Sequence, residues 1–182
     1  QPEITTFPIY GNVAQFSEQH GQLRVVPASF QDAVVLSNTA AHPSYSLQRE
    51  MDRNLWLASS ASVPNSYKRF KPFKQSNELI VALLQDTLQL SVKMMNYEKP
   101  ADLKVLYSLP TDTVLREMML PSDNFLAEQL NMMAAFMKYG SFQTATLRQE
   151  MARDYYQHFT DTVVLRDGSG LSTYNKVTPR AM

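Results

Sequence analysis

Three consecutive polar residues, Ser122, Asp123 and Asn124, lie between two apolar, periodic segments and have the side chains that acyl transfer requires. In an extended or loop segment the side chains at positions i and i+2 point the same way. Ser122 and Asn124 are therefore predicted to face one cleft, with Asp123 turned back to brace the loop. A hydroxyl can pass a proton, and an amide can hold the backbone of a peptide substrate. The alternative is a helix cap, because Ser, Asp and Asn all favour the N-terminal position of a helix.

The context of this tripeptide resembles a known family. Residues 115–130 resemble the middle of the serine D-alanyl-D-alanine carboxypeptidase/endopeptidase family, the class C low-molecular-mass penicillin-binding proteins. There a helix, a Ser-x-Asn motif and an Ala-Glu pair follow in this order, and Ala127 and Glu128 supply the pair here. A second block, residues 167–172 (Asp-Gly-Ser-Gly-Leu-Ser) with Asn175 and Val177-Thr178-Pro179, is similar to the same family. The resemblance covers roughly residues 76–182.

The resemblance implies a periplasmic or otherwise extracytoplasmic bacterial hydrolase that uses neither a metal nor another cofactor. Its substrates would be the D-Ala-D-Ala ends of peptidoglycan peptide stems, and also cross-links, cleaved through an acyl-serine intermediate. β-Lactams would acylate the complete enzyme. Ser122 would relay a proton to the leaving D-alanine, and Asn124 would hold the peptide backbone. The remaining candidates would shape the cleft without reacting: Asp123, Asp167, Gly168, Ser169 and Gly170.

Two further motifs of that family are missing from the sequence. No serine is followed by lysine three positions later; Ser46 and Ser66 are followed there by arginine, which stays protonated and cannot act as the base. Residues 138–140 (Lys-Tyr-Gly) differ from Lys-Thr-Gly in the middle residue. We therefore expect an internal fragment that is inactive alone and whose nucleophile lies outside this chain. An alternative is that a companion fragment of the same protein, produced by proteolytic nicking, supplies the missing parts.

Other residues give weaker alternatives. Ser169 could form a hydrolase triad with His158 and Asp161, but the Gly-x-Ser-x-Gly elbow is absent. Residues 68–74 interleave cations with aromatic rings and could contact an anionic polymer, although a solvated strand is the simpler interpretation. A non-catalytic cell-wall-binding or interaction module with the same fold is the alternative to an enzyme.

The composition supports a folded protein and excludes several classes. The 182 residues include 17 Lys+Arg, 17 Asp+Glu and 44% hydrophobic residues, so the chain is neither disordered nor basic enough to indicate a nucleic-acid binder. Without cysteine there is no disulfide, cysteine-ligated zinc or thiol nucleophile. The longest apolar run, residues 79–84, is far shorter than the roughly 20 residues of a membrane span.

The pattern along the chain predicts an α+β fold that is part of a β-lactamase/transpeptidase-like fold. Residues 1–75 are predicted to be a β-rich accessory portion, and residues 76–182 a mainly helical, transpeptidase-like portion. The predicted strands are residues 23–26, 33–36, 55–58, 104–109 and 162–165. The predicted helices begin at Ser76, at Thr111 or Thr113, after the 122–124 corner and near Thr144. Thr178 and Pro179 predict a further helix, cut short at Met182.

Overall fold

The computed structural model describes residues 2–37, 44–98, 102, 104 and 107–181. The chain forms two compact units, Gln1–Pro100 and Ala101–Met182. The change of composition near Ser76 therefore lies within the first unit. The assignment of residues 1–75 and 76–182 to separate functional portions stays a prediction.

Six short strands of the described residues build the first unit. They are β1 (Val13–Gln19), β2 (Gln22–Val26), β3 (Val34–Leu36), β4 (Leu47–Arg49), β5 (Trp56–Ala58) and β6 (Lys68–Pro72). One sheet has the order β2-β1-β6 with both pairings antiparallel. The other has the order β3-β5-β4, in which β3 is parallel and β4 antiparallel to β5. Short 3-10 turns at Tyr10–Asn12 and Ala28–Ala33 complete this unit.

The core of the first unit is a chain of aromatic rings. Trp56 is completely buried, and its ring centroid lies 5.3 Å from that of Phe16 and 5.0 Å from that of Phe30. Phe30 in turn lies 5.2 Å from Phe73. Such pairs contribute about 0.5–1.5 kcal/mol beyond the apolar area that they bury.

Helix α1 (Asn77–Leu88) belongs to this first core. It begins where the sequence predicts, because the Ser76 hydroxyl accepts a hydrogen bond from the Leu79 amide at 3.2 Å. Leu83 is fully buried in the aromatic core, and Leu79 packs against it. The apolar face of this helix therefore packs against the β-rich portion that precedes it in the sequence.

The second unit contains three helices at the places that the sequence predicts: α2 (Thr111–Met119), α3 (Asn124–Tyr139) and α4 (Thr144–Tyr156). Helix α3 packs against both others. It ends at Gly140, whose φ of 68° is the left-handed conformation that glycine adopts without a steric penalty. None of these helices, nor any other formed by the described residues, is long and apolar enough to cross a membrane.

Two predicted strands of this unit differ from the structure. The described residues of the first, Lys104 and residues 107–109, are not in a strand; Val105 and Leu106 lie outside the described residues. The second shortens to one antiparallel bridge between Val164 and Lys176. After it, Pro179–Ala181 form a 3-10 turn in which the Ala181 amide donates to the Thr178 hydroxyl at 3.3 Å.

Candidate active site

The corner between α2 and α3 holds Ser122 in an unusual backbone conformation. The amides of Ser122 and Asp123 donate to the carbonyls of Met119 (3.2 Å) and Met118 (2.8 Å), the hydrogen-bond pattern that closes a helix with a left-handed residue. Ser122 occupies that left-handed position, with φ 56°, where glycine is usual. For a residue with a Cβ this conformation costs about 1–2 kcal/mol. Serine is thus not the residue that stability alone would favour there.

The Ser122 side chain is exposed. No other part of the described chain forms a hydrogen bond with its hydroxyl, which leaves it accessible to a ligand. Asn124 is the first residue of α3 and is half-buried, so neither residue is in a packed interior. Their convergence on one groove stays a prediction.

Asp123 is the cap of α3. Its Oδ1 accepts a hydrogen bond from the Leu126 amide at 2.9 Å. The helix-cap alternative therefore applies to Asp123 and leaves the side chains on either side of it unused by the fold.

Glu128 connects the two sequence blocks. It lies one helical turn after Asn124, and its Oε1 accepts hydrogen bonds from the backbone amides of Gly168 (2.8 Å) and Ser169 (2.9 Å). Asn124, Glu128 and Asn131 share one face of α3, because residues three and four apart lie one above another. The Asp167–Gly170 turn is therefore held against the helix face that begins at Asn124.

Asp167 organises this turn from inside. Its carboxylate accepts hydrogen bonds from the amides of Gly170 (2.9 Å) and Ser172 (2.6 Å) and from the Asn175 side chain (2.8 Å), and the Ser169 hydroxyl lies 3.5 Å away. The Asn175 side chain also accepts from the Arg166 amide at 2.6 Å. Asp167 is thus occupied as a structural acceptor.

These bonds determine the ionisation of Asp167. Desolvation by burial raises the pKa of its carboxyl, but the hydrogen bonds from Asn175, Ser172, Gly170 and Ser169 together outweigh it and hold the pKa below the ordinary value of 3.8. A group with a lowered pKa in the folded state stabilises the protein above its unfolded pKa, and this stability is lost as the pH falls through the folded pKa.

We expect Asp167→Asn to lower the free energy of unfolding at pH 7 by about 1–2 kcal/mol, because the amides of Gly170 and Ser172 and the Asn175 side chain lose a charged acceptor. The difference from the unchanged protein should shrink as the pH falls below about 3.8. Urea unfolding followed by circular dichroism at pH 7 and at pH 3 measures both values. An equal difference at the two pH values would contradict this assignment.

Beside the turn, the second unit has a cleft of about 500 Å³. The turn residues 167–170 form one wall, and helices α2, α3 and α4 form the rest through largely apolar side chains: Leu115, Met118, Leu130, Ala134, Leu147 and Met151. Asn131 and Arg148 also line the cleft, and the Asn131 Nδ2 and Arg148 Nε atoms are buried without an acceptor among the described residues. Ser122 and Asn124 are not among the lining residues. The role of the turn in shaping a substrate cleft stays a prediction.

The contacts of Ser169 and Asp161 do not form the alternative triad with His158. Asp161 accepts from the Thr178 hydroxyl at 2.5 Å and lies 3.8 Å from Arg180. The Ser169 hydroxyl donates to Asp167, at 3.5 Å. Sequence reasoning identified the turn but gave no role to Glu128, Asn131 or Arg148. The one sequence signal for Glu128 was its spacing of four from Asn124, which places both residues on one face of α3.

Comparison with known proteins decides the family. The profile of the D-Ala-D-Ala carboxypeptidase 3 (S13) family matches residues 26–182. The chain belongs to this family. This S13 chain is similar to D-alanyl-D-alanine carboxypeptidase DacB of Haemophilus influenzae, with 33% identity over 106 residues that cover 55% of this chain and 22% of that protein.

A solved structure shows that the similarity of this S13 chain to known proteins includes the fold. Penicillin binding protein 4 (dacB) from Haemophilus influenzae, crystallised with a novel β-lactam, matches with a TM-score of 0.57 and 24% identity over 93% of this chain and 44% of that one. The predicted α+β, partial transpeptidase-like fold is thereby confirmed. The chain spans less than half the length of either relative.

Proposed function

We propose that this chain is part of a bacterial serine-type D-Ala-D-Ala carboxypeptidase/endopeptidase that acts outside the cytoplasm on the peptide stems of peptidoglycan. The observation that carries the proposal is the Glu128 contact. It brings the Ser-Asp-Asn helix and the Asp-Gly-Ser-Gly turn, about 40 residues apart in sequence, against each other. Membership of the S13 family supports the same reaction.

The proposed reaction begins at a serine outside this chain. Its oxygen attacks the carbonyl carbon of the penultimate D-alanine, the C–N bond to the last D-alanine breaks, and an acyl-serine forms. The proton that the attacking serine loses is relayed through Ser122 to the departing amine, a role that suits an exposed hydroxyl free of internal hydrogen bonds. Asn124 holds the peptide backbone with its amide. Water then hydrolyses the acyl-serine.

A labelled penicillin tests this proposal on the protein as its natural gene produces it. We expect stable labelling of one serine outside residues 1–182, since a serine hydroxyl is a weak nucleophile without a neighbouring base and none of the serines here has one at the required spacing. A polypeptide limited to residues 1–182 should stay unlabelled. No labelling of the natural protein at a saturating dose would favour the alternative, a cell-wall-binding module that keeps the fold without the chemistry.

A further inference from the structure

One face of the β2-β1-β6 sheet in the first unit lies away from the aromatic core. Side chains alternate across a strand, and residues paired across an antiparallel ladder share a face. Ala14, Phe16 and Val25 are buried in the core, so the residues between them point the other way. This outward side, the open face, consists of Val13, Gln15, Ser17, Gln19, Gln22, Arg24, Val26, Lys68, Phe70 and Pro72. None of them belongs to the core cluster.

The open face carries positive charge and no negative charge. The strand register places Arg24 and Lys68 on either side of Ser17, in one row across the three strands. Both cations are exposed, and neither forms an ion pair with a described residue. The chain as a whole has no net charge, so this is a local concentration. Such a surface attracts an anionic partner.

Two more cations extend this charge along the edge of the sheet. Arg69 and Lys71 lie on the other side of β6, which is an edge strand, and Arg69 is exposed. Neither forms an ion pair with a described residue, whereas Lys74, just after the strand, lies 3.8 Å from Asp52. The unpaired cations of the first unit are thus gathered on and beside this sheet.

Phe70 adds an exposed aromatic ring to the cations. The residue is 56% exposed, and Val26, in the same row across Gln15, is 39% exposed. The Lys68 Nζ lies 5.6 Å from the centroid of the Phe70 ring, so the charge and the ring form one surface. Edge strands carry lysine to prevent aggregation, but an exposed ring works against that purpose. A ligand with both flat apolar faces and anionic groups matches this combination.

The size of the open face favours an extended polymer. Three strands of five to seven residues span roughly 10 Å by 20 Å, far less than the roughly 800 Å² that each partner buries in a stable protein complex. Its exposed apolar side chains, Val26 and Phe70, fall short of the broad apolar face with which amphipathic segments enter a membrane surface. A glycan strand offers flat sugar rings, and its peptide stems carry carboxylates.

We propose that the open face is a second, non-catalytic binding site for peptidoglycan. Arg24 and Lys68 pair with carboxylates of the peptide stems, and Phe70 stacks on a sugar ring. The site holds the polymer while the reaction takes place elsewhere in the enzyme. This inference rests on the proposed function, because that function brings the enzyme to peptidoglycan.

Sedimentation with purified peptidoglycan sacculi tests the site on the protein as its natural gene produces it, after penicillin has blocked the nucleophile. Arg24→Gln combined with Lys68→Gln should weaken binding at least about tenfold, because two charged hydrogen bonds are lost. Arg24→Lys combined with Lys68→Arg keeps the charge and should keep most of the binding. Lys93→Gln combined with Lys104→Gln is the matched control, since it removes the same charge from exposed, unpaired positions outside the sheet.

Two further readouts separate this site from the chemistry and from other covers. The double glutamine variant should release D-alanine from a short soluble peptide at the unchanged rate, but from sacculi more slowly. Phe70→Cys should be alkylated in the natural protein as readily as Met51→Cys, at an 82% exposed position, since residues 1–182 contain no other cysteine. A protected thiol at position 70 would show that the rest of the protein covers the open face, and would overturn the proposal.

Unchanged sacculus binding by the double glutamine variant would overturn it too. So would an equal loss in the control at positions 93 and 104, which indicates non-specific attraction, or binding to phosphatidylglycerol vesicles but not to sacculi, which indicates a membrane surface. Binding that disappears once penicillin blocks the nucleophile belongs to the catalytic site alone and contradicts the proposal. Penicillin labelling without any effect of the open face contradicts only this inference, and sacculus binding through the open face without labelling contradicts only the proposed function.

Discussion

Replacing Ser122 with glycine is expected to make the protein more stable and less active at once. Glycine adopts the left-handed conformation of this position without the steric cost that serine meets at φ 56°, so the free energy of unfolding should rise by about 0.5–1 kcal/mol. Removing the hydroxyl should lower the rate of D-alanine release by about 100-fold or more, the usual contribution of a positioned acid–base group. Urea unfolding and a D-alanine assay on the natural protein measure the two effects.

Ser122→Ala is the matched control for this pair of effects. It removes the same hydroxyl but keeps a Cβ in the left-handed region, so we expect a comparable loss of rate with no gain in stability. Full activity in the glycine variant would show that the hydroxyl has no part in the reaction. A parallel fall in stability would show that the corner needs the serine for its structure.

The second large effect is expected on stability, when Gly168 is replaced by alanine. A Cβ built there would lie 2.7 Å from the Asn131 Cβ, a distance that requires helix α3 and the turn to separate. Gly168→Ala should therefore lower the free energy of unfolding by about 2–3 kcal/mol, as overpacking in a close contact does. Far-UV circular dichroism during urea unfolding measures it, and fluorescence of Trp56, the single tryptophan, reports the first unit separately.

Gly170→Ala is the matched control for Gly168→Ala. Gly170 has φ 76° but no atom within 4 Å of a built Cβ, so its replacement should cost only the backbone penalty of about 1 kcal/mol. Asn131→Gly removes the atom that obstructs the new methyl group, and Gly168→Ala combined with Asn131→Gly should cost less than the two changes added. Strict additivity would show that the two positions are not in contact.

The helices could be predicted from the sequence because their limits are set locally. Ser76 and Asp123 cap the helices that follow them, and Gly140 ends α3, each through bonds within a few residues. Strands β2, β3 and β5 were predicted within a residue or two for the same reason. Strand β1 was missed, although Ala14 and Phe16 are buried in alternation, because four of its seven residues are polar.

The contacts that build the site could not be predicted, because they join distant segments. Nothing near Glu128 shows that its carboxylate binds amides about 40 residues later. Likewise, the apolar stripe of α1 predicts a buried face but not that Leu83 packs among the aromatic rings of the preceding portion. Arg148 has the sequence context of an ordinary surface residue, and only the fold shows that its Nε is buried.

The Glu128 contact also bears on the order in which the chain folds. Closing a flexible loop costs entropy that grows with its length, as (3/2)RT ln n. Ala127 of α3 and Tyr156 at the end of α4 line the same cleft, so once these neighbouring helices pair, only about a dozen residues separate Tyr156 from Gly168. The shorter loop lowers the closure cost by about 1 kcal/mol relative to the direct span from Glu128. We therefore expect the helical hairpin to form first and the turn to dock on it last.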